Sequence, residues 1–155
     1  MADWWQWSPH KEEEALTFAV VGVGRFGTAV CRELISNGVD VLAADASEKA
    51  IDDLRQLEPS IEARVIDCTD EESMKESGIL EMNTVVVGIS EPIEASITTT
   101  LIAKDSEGTK VKRVIARATS DLHEKMLKRV GADKVVFPSR TVSYTHLTLP
   151  TICSV

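Results

Sequence analysis

Phe18-Ala-Val-Val-Gly22-Val-Gly24-Arg25-Phe26-Gly27 decides how this chain folds. Four apolar residues in succession read as a strand buried on both faces, as parallel strands are. The spacing G-x-G-x-x-G follows at once and opens a helical pattern, which is the strand–turn–helix arrangement of a dinucleotide-binding crevice. Gly22 permits the tight turn. Gly24 lacks a Cβ, so a pyrophosphate can approach the backbone. Gly27 lets the helix pack closely on the strand. The helix start then offers free N–H groups and a partial positive charge to the phosphates.

Working outward, short apolar runs alternate with amphipathic stretches. Strands are expected over residues 16–23, 39–44, 63–66, 84–87, 114–116 and 134–137. Between them lie predicted helices. The first covers 25–37, with Gly27, Val30, Cys31 and Leu34 on one face and Gly38 as its stop. The second is capped by Ser47 and carries Ile51 and Leu54. A short one covers 70–77, started by Thr69 or Asp70. The fourth is expected to be capped by Ser90, with Pro92 in its first turn, Ile93, Ile97 and Leu101 along one side, and Gly108 at its end. The fifth covers 120–130 and stops at Gly131. Strict alternation predicts an α/β fold of Rossmann type: a doubly wound, parallel six-stranded sheet with helices on both faces. Ligands of such sheets sit at the carboxyl ends of the strands.

That edge collects the candidate site. Asp45, ending the second strand with Ala46 behind it, follows eighteen residues after Gly27. A carboxylate there can accept both ribose hydroxyls of an adenosine and repels a 2′-phosphate, which disfavours NADP. Asp67, before Cys68, lies where an adenine amino group could be met. Gly88 and Ile89, past the fourth strand, lie under the ligand. Arg25 can point outward from the glycine turn, and Arg117 ends the fifth strand at the same edge. Val23 and Phe26 complete the turn.

Composition narrows the function. The net charge of −8 is spread along 155 residues, so no clustered basic face is available for nucleic acid. The three cysteines, Cys31, Cys68 and Cys153, fit neither a disulfide framework nor a zinc site and agree with a reducing cytoplasm. No apolar run approaches the ~20 residues that span a bilayer. Residues 1–15, with Trp4, Trp5 and Trp7 before an acidic run, read as a mobile extension or as an aromatic patch for a partner. From about residue 141 to Val155 the pattern breaks, and this tail reads as irregular and foreign to the domain at 16–140.

An NAD-dependent oxidoreductase fragment is the rival reading. The nucleotide unit consumes nearly all of residues 16–138 and leaves no substrate domain. No Tyr-x-x-x-Lys pair exists, because the single tyrosine is Tyr144 and Thr148 stands four residues on. His10 and His146 lie in the irregular ends, and His123 reads as a solvated residue in a first helical turn. No catalytic set and no metal-ligand cluster stands out.

Together, the glycine stretch, Val41-Leu-Ala-Ala-Asp45, Asp67-Cys-Thr69, Ala95-Ser96 and Gly131-Ala-Asp133 before Val135-Val-Phe-Pro138 resemble the N-terminal lobe (TrkA-N) of RCK domains, most of all the KtrA type. The resemblance covers about 120 residues in the family's order. It implies a nucleotide-sensing regulatory subunit of a potassium channel or transporter, not an enzyme, binding NAD/NADH or ATP/ADP. It implies homodimers or higher rings and a membrane-embedded potassium partner, with the chain cytoplasmic and peripheral to the inner face of the plasma membrane. It also implies that Arg25 reaches a ligand's terminal phosphate across the dimer interface, helped by Arg117. The family often carries an acidic, cation-binding residue after the last strand's proline. Here Ser139 follows Pro138, so no metal site is expected.

Overall fold

The computed structural model describes residues 16–138. The expectations for residues 1–15, for Ser139 and for the tail from residue 141, with His10, His146 and Cys153, lie outside the described residues.

Six strands form one parallel sheet: β1 Thr17–Val21, β2 Asp40–Asp45, β3 Glu62–Val65, β4 Thr84–Val87, β5 Arg113–Arg117 and β6 Lys134–Val136. Their order across the sheet is β3-β2-β1-β4-β5-β6, with every neighbouring pair parallel. The strand order reverses between β1 and β4, which is where open α/β sheets leave a crevice. Five helices connect the strands: α1 Arg25–Ser36, α2 Glu48–Leu57, α3 Glu71–Ser77, α4 Ile93–Asp105 and α5 Asp121–Arg129. No helix among the described residues is long and apolar enough to cross a membrane.

Alternate side chains of each strand feed two cores, as a period of two requires. Phe18, Val20, Ala43, Val86 and Ile115 pack with Val30, Cys31 and Leu34 of α1 and Ile51 and Leu54 of α2. Ala19, Val21, Leu42, Val85, Val87 and Val114 pack on the opposite face with Met74, Ala103 and Leu127.

The first strand stops earlier than the sequence pattern indicates. Gly22 has a φ of +93°, which bends the chain out of the ladder. Its N–H still donates to the Ala44 carbonyl at 2.8 Å, but the next N–H, of Val23, goes to the Asp45 carboxylate. At Gly27 an added Cβ would overlap the Gly22 carbonyl oxygen, and at Gly88 it would lie 2.8 Å from that oxygen. Helix α1 therefore sits on β1 with backbone against backbone.

The fourth helix departs from expectation in three ways. Pro92, not Ser90, is its N-cap residue. The residue before a proline is barred from helical geometry, so Glu91 cannot begin the helix, and Ser90 is left in the loop after β4. Ile93, Ile97 and Leu101 do share a side, but not the most deeply buried one: Leu101 is 43% exposed, and Ile97 is only partly covered where it packs on the core. Ser96, Thr99, Thr100 and Ala103 face inward. Their small side chains allow a close approach to the sheet, and their hydroxyls are satisfied: Thr99 donates to the Cys68 carbonyl at 3.0 Å and Thr100 to the Ser96 carbonyl at 2.9 Å. The helix ends at Asp105, with Gly108 in the following turn at a φ of +82°.

Gly131-Ala-Asp133 is a structural clasp. The Asp133 N–H donates to the Val114 carbonyl at 2.8 Å, and its carboxylate accepts the Val114 N–H at 2.8 Å and Lys104 Nζ at 2.9 Å. It thereby pins β6 to β5 and to α4.

The Gly22–Gly27 contact yields a direct test. Gly27→Ala is expected to lower folding stability by about 3 kcal/mol, the upper end of overpacking costs, read as a shift of the urea midpoint without loss of slope.

Candidate nucleotide-binding cleft

The carboxyl edge of the sheet opens into a cleft of about 530 Å³, well within the range of small-molecule sites. Along this edge, in strand order, come Asp67, Cys68 and Thr69 after β3, Asp45 and Ala46 at β2, Gly22, Gly24 and Arg25 at the β1–α1 turn, Gly88 and Ile89 after β4, and Arg117 at β5. Asp67 and Asp45 thus stand at one end, bare backbone and Arg25 in the middle, and Glu91 of the loop after β4 with Arg117 toward the other end.

Asp45 does more than line the cleft. One carboxylate oxygen accepts the Val23 N–H at 2.8 Å and the other accepts the Ser47 N–H at 2.8 Å. It therefore ties the glycine turn to the start of α2. A carboxylate has about four lone-pair sites, so two remain for an incoming ligand.

Gly24 is unlike Gly22, Gly27 and Gly88. A Cβ added there meets nothing within 4 Å. The protein's own packing gives no reason for a bare Cα at this position, whereas a ligand lying on the turn would. Helix α1 starts here with no side-chain cap, while Ser47, Asp70 and Ser120 cap α2, α3 and α5. The first amides of α1, like those of α4, whose start is also without a side-chain cap, are left to water or to a ligand.

Asp67 is exposed, and its Oδ1 accepts the Thr69 hydroxyl at 2.6 Å and the Thr69 N–H at 3.0 Å. Those two bonds, the hydroxyl first, hold its carboxyl below the usual carboxylate range. Cys68 beside it is buried. Burial first, then the charges of Asp45 and Asp67, pushes its thiol up to about 12, so it remains a protonated, unreactive wall at neutral pH.

Arg117 lies over the Phe26 ring, 5.6 Å from its centroid. Its Nε is buried with no hydrogen-bond partner.

Three of the residues singled out from the sequence do not line the cleft. Val23 anchors the turn, Phe26 supports Arg117, and Gly27 packs on Gly22. The others do line it. Thr69, Ser90, Glu91, Pro92 and Ala95 line it as well, and sequence reasoning did not assign them to the site. Ser90, Glu91 and Pro92 lie just past β4 at the reversal of strand order, so the switch-point rule applied to every residue of that loop would have found them.

His123 is not the solvated residue expected from its place in a first helical turn. It is 0% exposed, because that turn faces α4. Its Nδ1 accepts the Thr119 N–H at 3.1 Å, and its Nε2 lies 3.0 Å from Ser96 Oγ. The bonding assigns the proton to Nε2, which then donates to the serine. A histidine activating a serine needs the opposite tautomer. This pair is therefore a brace between α4 and α5 immediately behind Ala95.

Burial holds the His123 pKa below its ordinary 6.5. The unfolded chain takes up this proton more readily, so the neutral form's contribution to stability is whole above about pH 6.5 and is lost as pH falls through the lower folded value. The melting temperature is expected to fall between pH 7 and 5.5, and His123→Gln to flatten that slope. An unchanged slope would remove His123 from the account.

A model of the TrkA-N domain family matches residues 18–138 of the chain. The chain is 39% identical over 126 residues to Ktr system potassium uptake protein C of Bacillus subtilis (strain 168), covering 81% of this chain and 55% of that protein. It is 37% identical over 123 residues to Ktr system potassium uptake protein A of Vibrio alginolyticus, covering 79% and 54%. The chain thus spans about half the length of these relatives. Among solved structures, the TrkA-N domain of inner membrane protein ybaL from Escherichia coli superposes with a TM-score of 0.71 at 23% identity, covering 86% of this chain and 96% of that one.

Proposed function

The chain belongs to the TrkA-N domain family, and on that footing we propose that it is the nucleotide-sensing part of a regulatory subunit of potassium uptake. The open face of Gly24 carries this reading: it is the one cleft glycine whose missing side chain answers to no neighbour. An adenine nucleotide, NAD(H) or ATP/ADP, would lay its phosphates on Gly24 and the amides of α1. Its ribose hydroxyls would use the two free lone-pair sites of Asp45, and its base would lie toward Asp67. Arg25 and Arg117 would face the far end of the ligand. Their local charge answers the problem of holding an anion on an acidic protein.

The role is regulatory and not catalytic. Ser96 and His123 brace each other in the wrong tautomer for nucleophilic chemistry, and the Cys68 thiol stays protonated. Regulation needs two states of the assembly that bind the nucleotide unequally. Pairing of two such domains, with Arg25 reaching the partner's ligand, would supply that difference. Two or more copies would sit against the inner face of a membrane-embedded potassium channel or transporter. Recovery of such a membrane protein with the tagged chain is the partner test.

Two measurements test the ligand. In a thermal-shift series with NAD, NADH, ATP, ADP and AMP, at ~100 times Kd a true ligand stabilises by about 2.7 kcal/mol. Gly24→Ala should leave the urea midpoint unchanged and weaken every nucleotide. This variant is cleaner than Asp45→Ala, which also releases the Val23 N–H. Full binding by Gly24→Ala, or turnover of any small substrate by hydride transfer, would sink the reading.

A further inference from the structure

We infer that His123 ties nucleotide binding to the proton: its neutral ring holds two walls of the cleft in place, and a proton added to that ring breaks the hold and weakens the grip on an adenine nucleotide. The inference rests on the nucleotide reading above and deepens it by giving the same site a second regulator, the hydrogen ion.

The geometry sets the ring between the walls. Its Nδ1 accepts the Thr119 N–H at 3.1 Å, and Thr119 stands two residues after Arg117, which lines the cleft at the end of β5. Its Nε2 donates to Ser96 Oγ at 3.0 Å, and Ser96 follows Ala95, which lines the cleft from α4. Three residues further along α4, Thr99 donates at 3.0 Å to the carbonyl of Cys68, a cleft residue after β3. One imidazole therefore joins the β5 side of the cleft to α4 and, through α4, to the β3 side.

Both ring nitrogens are committed, so an added proton disturbs the structure. A protonated imidazole carries an N–H on each nitrogen. The new one, on Nδ1, points at the Thr119 N–H, donor against donor, in a place closed to water. The Thr119 hydroxyl, 3.3 Å from Nδ1, can turn to accept it, but the backbone amide must then withdraw, and the end of β5 shifts with it. The side chains that touch the ring, Ser96 from α4 and Thr119 from the loop after β5, are uncharged. The charged residues nearest along those elements are Asp121 and Glu124 on α5, Arg117 on β5 and Glu94 on α4; none of them sets the ring's proton affinity, which burial alone lowers. The Cys68 thiol at the far end of the relay is pushed up to about 12 and stays protonated. A ligand that needs the brace intact binds the neutral form better, and by linkage its binding expels the proton. Affinity is then full above pH 6.5, the ring's ordinary value, and falls as pH drops through the lower folded value, by at most about tenfold per pH unit for one displaced proton.

Isothermal titration of the whole 155-residue chain with NAD at pH 7.5 and 5.5 tests this. Both phosphates of NAD are diesters and keep their charge over that range, whereas the terminal phosphate of ADP titrates near about pH 6; ADP is run beside it and read only as the difference between wild type and variant. Wild-type affinity should fall by about threefold or more at the lower pH, within the reach of one titrating group. His123→Gln keeps an acceptor and a donor but takes up no proton; it should bind as wild type does at pH 7.5, which certifies the fold, and lose about twofold or less at pH 5.5. A merely structural role would weaken binding equally at both pH values. Nitrogen NMR of the wild-type imidazole gives a reading that does not depend on the variant: the buried ring should carry its proton on Nε2 at pH 7.5, and its titration midpoint should drop by about half a pH unit, the same threefold, when NAD saturates the chain. Equal pH dependence in wild type and His123→Gln, or a midpoint that the nucleotide leaves in place, overturns the link and leaves the nucleotide site standing. Failure of wild type to bind either NAD or ADP at pH 7.5 overturns both.

Discussion

The carbonyl oxygen of Gly22 is the most crowded point in the fold. The Cα of Gly27 presses on it from α1, and Gly88 approaches it from the end of β4. Backbone meets backbone at three places where a side chain would otherwise intervene. This is what brings the start of α1, the end of β1 and the loop after β4 around one small volume. Without it the helix would stand off the strand, and its first amides would point over the cleft instead of into it.

The second organising element is Asp45, which a functional reading treats as a ligand-binding group alone. Its two oxygens already hold Val23 and Ser47. The residue that would meet a ribose is the same one that fixes the loop beneath the phosphates. Recognition of the sugar and the shape of the phosphate seat are therefore one property of the molecule. The chain's overall acidity makes this economy useful, because a protein with a net charge of −8 holds an anion through donors set close to it and not through its overall field.

Most of the architecture was legible because buried parallel strands write themselves as short apolar runs. Val20, Val21, Val85, Val86 and Ile115 are all at most 1% exposed, so no polar residue was tolerated there. The glycine turn and Asp45 were legible for a related reason: steric and electrostatic demands at those points admit very few residue types. Helix α4 was not, because its most buried positions are Ser96, Thr99, Thr100 and Ala103, while Ile93 and Ile97 are only partly covered and Leu101 is exposed. Periodicity still marks the two sides, but polarity no longer says which is inside. His123 was hidden in the same way, since its burial depends on Ser96, a partner twenty-seven positions away. The Phe26–Arg117 stack joins residues still further apart in the chain, and no local pattern announces it.

The inverted polarity of α4 has a mechanical meaning. An oily face is a bearing: it lets a helix slip or roll by small amounts at little cost. A face of hydroxyls is a keyed joint. Thr99 is pegged to the Cys68 carbonyl, and Ser96 to His123. The loop after β3, the body of α4 and the first turn of α5 thus share one alignment. What displaces the wall of the cleft at Cys68 must carry the whole rod with it, including exposed Leu101.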